Sequence, residues 1–65
     1  MKSMAAVDET KLSEVVELAK KSIKGDLPPD VWYSHMIRES ALSGVTEAYY
    51  TTLVLERIYK HQNPL

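Results

Sequence analysis

The chain contains no cysteine, only two glycines and no long apolar run. Without cysteine no disulfide can form. Two histidines and no thiolate fall short of a four-ligand structural zinc site. Gly25 and Gly44 are the only glycines, so no glycine-rich elbow or oxyanion loop accompanies any candidate nucleophile. A membrane span needs about 18 consecutive apolar residues, and no stretch approaches that length. Residues 1–7 carry Lys2 but lack the apolar segment of roughly 7–15 residues that marks a secretory signal, so a cytoplasmic location is expected. Charge of one sign is also missing. Eight basic against nine acidic residues give a net charge of -1, and no general attraction to nucleic acid or anionic membrane follows.

What is present is 65 residues, 45% of them hydrophobic, with one tryptophan and four tyrosines. That composition argues against disorder. A chain of this size forms one domain and buries only about 60% of the surface its unfolded form exposes. Small scaffolds supplement such a core with disulfides, a metal or oligomerisation, and here only oligomerisation remains.

The pattern is helical throughout. Residues 1–7 read as a flexible N-terminal arm, residues 8–62 as a single helical domain and residues 63–65 as a C-terminal tail. Asp8 or Thr10 can cap a first helix over residues 9–24, with Glu9 and Glu14 suited to its positive end. Leu12, Val15, Val16, Ala19 and Ile23 recur at helical spacing and form one stripe, with Leu18 off it. Lys20, Lys21 and Lys24 suit the negative end of that helix, Glu17 and Lys21 form a favourable pair four apart, and Gly25 supplies a left-handed stop. Asp26-Leu27-Pro28-Pro29-Asp30 is a stiff connector that leads into a second helix over residues 29–42. Its inner face is expected to hold Trp32, Tyr33, Met36, Ile37, Ser40 and Ala41, with Ser34, Arg38 and Glu39 mostly outside. Ser43-Gly44 is either a tight turn or a kink before a third helix over residues 45–61. No strand is expected.

The third helix is apolar almost all the way round. Val45, Ala48, Tyr49, Leu55 and Tyr59 mark one side; Tyr50, Leu53, Val54 and Ile58 cover much of the other. A surface helix in a monomer normally shows one apolar stripe and one solvated face. The first set is assigned to the core and the second, flanked by Arg57, to contact with a partner chain. The expected fold is therefore an all-α, small three-helix (helix-loop-helix-turn-helix) domain completed by homodimerisation across a two-fold axis.

Candidate chemistry is thin. His35 and Glu39 are four apart, the spacing of a metal half-site, but the remaining ligands would have to come from His61, carboxylates or another subunit. Ser34 and His35, with Asp26 or Asp30, lack the geometry of a triad because adjacent helical residues point in different directions. No catalytic residue, cofactor or metal ligand is assigned. Lys20, Lys21 and Lys24 are better explained as a solvated helix end than as an anion site. The segment from Met36 to Thr52 invites a helix-turn-helix reading with Gly44 in the turn. Its second helix would begin Thr46-Glu47-Ala48 and offers no Lys or Arg before Arg57, which suits neither base edges nor phosphates. The expected function is a non-enzymatic protein–protein interaction module, a small regulator, inhibitor or adaptor. It would act as a homodimer or on a larger protein partner through Tyr50, Leu53, Val54, Arg57 and Ile58. The alternative is a helix-turn-helix-like DNA-binding transcriptional regulator.

Overall fold

The computed structural model describes residues 7–62, with side chains as far as Lys60. It contains three helices in the order α1 (Glu9–Ile23), α2 (Pro29–Ser43) and α3 (Glu47–Gln62), each packed on the other two. The described residues include no strand. The expected arm (residues 1–7) and tail (residues 63–65) fall outside the described residues, except Val7, which packs half-buried against the core.

Each helix starts and stops where local chemistry tells it to. The Asp8 side chain accepts hydrogen bonds from the backbone N–H of Thr10 at 2.9 Å and Lys11 at 3.2 Å. These are donors that the first turn of α1 would otherwise leave unpaired. At the other end Gly25 adopts φ 90°, and Asp26 N–H donates to Lys21 O at 2.8 Å. A left-handed residue with a bond spanning back to the last turn is the common way for a helix to close. Pro29 occupies the first turn of α2, where its missing N–H costs nothing.

Gly44 repeats the device. It sits at φ 73° and ψ 27°, with Val45 N–H donating to Ser40 O at 3.1 Å. This decides the question of turn or kink: α2 and α3 are separate helices. The Thr46 hydroxyl then caps α3 by accepting from Tyr49 N–H at 3.0 Å. Val45 just before the cap and Tyr50 four residues after it both pack on the core, the arrangement of a hydrophobic staple.

The core joins Leu12, Val15, Val16 and Ala19 of α1, Trp32 and Met36 of α2, and Tyr50, Val54 and Ile58 of α3. The α1 stripe is as expected up to Ala19, whereas Ile23 at the helix end is exposed and Leu18 packs against the core edge. Lys20, rather than Lys21, meets Glu17, at 3.4 Å. In α2 the buried row is Trp32, Met36, Glu39, Ser40 and Ser43. Tyr33, Ile37 and Ala41, expected inside, are exposed, and Glu39, expected outside, is buried. The reason lies in the row itself. Trp32 and Met36 carry the bulk, and the residues stacked beneath them at helical spacing are Glu39, Ser40 and Ser43. Ser40 satisfies its own hydroxyl by donating to Ile37 O at 2.9 Å.

Candidate functional site

The two sides of α3 are exchanged relative to expectation. Tyr50, Val54 and Ile58, assigned from sequence to a partner surface, are 0%, 0% and 2% exposed inside the chain's own core. Leu53 packs half-buried against that core. No partner reaches Tyr50, Val54 or Ile58 while the helices stay packed. Arg57 also has a partner within the chain, its Nη2 lying 2.9 Å from Glu9 Oε1 at the start of α1. Both side chains are well exposed, so this link contributes only about 0.2–1 kcal/mol. The physical reason for the exchange is continuity. Tyr50, Val54 and Ile58 form an unbroken row four residues apart, whereas the opposite side is interrupted by Thr52 and Glu56.

Of the side assigned to the core, Val45 packs half-buried against it, while Ala48, Tyr49, Leu55 and Tyr59 face out. Tyr49 is 51%, Leu55 39% and Tyr59 62% exposed. At about 100° per residue these three fall within an arc of roughly 120°, together with Ala48, Thr52 and Glu56. Thr52 donates its hydroxyl to Ala48 O at 2.9 Å, so it is satisfied within the helix and leaves the tyrosine hydroxyls and Glu56 as the polar groups of this face. Large apolar side chains gathered on one outward helix face are the feature most characteristic of an interaction surface. Tyrosine suits such a surface because its ring can be buried while its hydroxyl stays wet. Tyr33 on α2 is also exposed, with its ring edge-on to Trp32 at a centroid distance of 4.6 Å.

The other sequence candidates come apart. His35 is exposed while Glu39, four residues on, is buried. Among the described residues no group of three His, Cys, Asp or Glu side chains is placed to hold a metal ion. The side chain of His61 lies outside the described residues. Ser34 donates its hydroxyl to the Asp30 backbone carbonyl at 2.8 Å, not to His35. Among the described residues no helix is long and apolar enough to cross a membrane.

Sequence reasoning missed a polar feature inside the fold. The Tyr50 hydroxyl is fully buried and has no hydrogen-bond partner. Burial pushes this phenol above its ordinary value of 10.0, and the negative charges of Glu39, Asp8 and Glu9 push the same way. The unfolded chain therefore loses this proton at a lower pH than the folded one. Its contribution to stability is complete below about pH 10 and is lost as pH rises above that value. Removing an unsatisfied buried hydroxyl relieves a desolvation cost of about 1–3 kcal/mol. Tyr50→Phe is thus expected to unfold at higher urea concentration at neutral pH, and to lose stability less steeply above about pH 10. A clearly less stable variant would mean that the hydroxyl has a partner after all.

Comparisons with known protein families, with curated proteins and with solved structures found no match for this chain.

Proposed function

We propose that the chain is a non-enzymatic protein–protein interaction module, a small regulator, inhibitor or adaptor, that binds through the outward face of α3. The observation that carries this reading is the exposure of Tyr49, Leu55 and Tyr59 on one side of a helix whose other side already fills the core. Aromatic anchors with a wet end are enriched at such interfaces. The small core of a cysteine-free chain adds a reason to bury more apolar surface against another chain. A second copy is the simplest occupant, since two-fold dimers are the commonest assembly.

Sedimentation at micromolar concentration tests this. A mass near twice 7.4 kDa is expected, and replacement of the exposed tyrosines should return the mass to that of one chain. A monomer that retains no protein from its host extract would contradict the reading. The DNA-binding alternative gains nothing from the geometry, because α3 carries Glu47 in its first turn and no cation before Arg57, which is already paired with Glu9.

A further inference from the structure

The outward face of α3 carries a row that matches a second α3 in one direction only. Tyr49, Thr52, Glu56 and Tyr59, all exposed, are three, four and three residues apart, the alternation of a seam between two helices. Ala48 and Leu55 lie along one flank of the row, Leu53 and Lys60 along the other. Tyr50, Val54 and Ile58 turn away from it into the chain's own core. Two copies can align the row in two ways. Side by side in the same direction, each residue meets its own equivalent, which sets Glu56 against Glu56 and brings Leu55 to Lys60 of the other copy. Like charges held opposite each other repel. In opposite directions Tyr49 meets Tyr59 at both ends and Thr52 meets Glu56 in both central layers. Leu53 then meets Leu53 on one flank, and Leu55 meets Leu55 on the other. Lys60, near the end of one helix, comes beside the first turn of the other, which carries Glu47.

We propose that α3 pairs antiparallel with α3 of a second copy, with Tyr49 on Tyr59 at each end and Thr52 on Glu56 between them. This rests on reading the outward face of α3 as the binding surface. The occupant is a second copy because the reversed row is its own complement in shape and in charge. A two-fold axis across the helix relates two such rows directly. The tyrosine layers bury rings while each hydroxyl keeps its contact with water. In the centre the Thr52 hydroxyl, which donates to Ala48 O within its own helix, gains the Glu56 carboxylate of the other copy as a stronger acceptor. The leucine flanks shield that polar centre on both sides. The opposed helix dipoles also place each positive end beside a negative one. An exposed ion pair in place of either tyrosine layer restores little of the contact.

The chain has no cysteine of its own, so introduced thiols report the direction of pairing without background. Thr52→Cys and Glu56→Cys change exposed positions and leave the core and the tyrosines in place. The two variants, one of them 15N-labelled, are mixed in equal amounts at micromolar concentration, sedimented, and oxidised. In the antiparallel pair position 52 faces position 56, whereas like positions are displaced by four residues, about 6 Å along the axis. A disulfide bridges Cα atoms only about 4.4–6.8 Å apart, so mixed disulfides, told from like ones by mass, should outnumber them by roughly tenfold. Random pairing gives equal amounts of the two kinds. Like-with-like disulfides in excess, or random pairing, in a chain that sediments as a dimer would overturn the antiparallel seam and leave association itself standing. A chain that sediments as a monomer and pairs at random would overturn the seam together with the dimer on which it rests.

Discussion

Val54→Asp is expected to unfold the chain. Val54 is 0% exposed between Tyr50 and Ile58, in the same core cluster as the α1 row. An unpaired charge placed there costs several kcal/mol even after relaxation. A single core in a chain below about 70–80 residues supplies only about 3–5 kcal/mol in total. The cost therefore equals or exceeds the whole stability. The helical circular dichroism signal should collapse at 25 °C without denaturant. Leu53→Asp should do less harm, because Leu53 sits at the core edge and its new charge can reach water. Had the Tyr50–Ile58 side faced a partner, Val54→Asp would have left a folded monomer. A cooperative, helical Val54→Asp chain would refute the packing of α3.

The double replacement Tyr49→Asp and Tyr59→Lys should do the reverse. Both side chains are more than half exposed, and neither joins the core cluster. An acidic residue in the first turn of α3 and a basic one near its end suit the helix dipole, so the unfolding free energy of the single chain, compared under dilute conditions, should stay within about 0.5 kcal/mol of the parent. Association should fall steeply. Aromatic anchors at the centre of an interface typically cost about 2 kcal/mol or more each when truncated, so two of them weaken binding by roughly a thousandfold. Sedimentation across a concentration series reads this directly. An unchanged mass distribution in a folded double variant would remove the outward face of α3 as the binding surface.

How much of this was legible in the sequence depends on the helix. The α1 row Leu12–Val15–Val16–Ala19 was plain, because a single apolar stripe leaves only one way to face the core. The stop at Gly25 was equally plain, whereas Gly44 left a turn and a kink both open until its left-handed φ of 73° was placed. In α3 two apolar sides compete, and the one with an unbroken row is the one buried against α1 and α2. The regular spacing of Tyr50, Val54 and Ile58 is the signal in the sequence that marks the buried side. In α2 the inner face is narrower than expected: Trp32, Met36 and Ser40 are buried, while Tyr33, Ile37 and Ala41 beside them are exposed. A charged residue such as Glu39 is rarely placed inside on composition alone. Its burial becomes visible only once the three helices are assembled.

The account depends on which side of α3 is inside. Hydroxyl-radical footprinting, with oxidation mapped residue by residue by mass spectrometry, reads this in one experiment if it is run on the dilute chain and again at high concentration. Tyr50, Val54 and Ile58 should be protected under both conditions, while Tyr49, Leu55 and Tyr59 should react in the dilute chain and become protected as chains associate. Oxidation of Tyr50 as fast as Tyr49 in the dilute, folded chain would contradict the packing, and an outward face equally reactive at every concentration would contradict the dimer through α3.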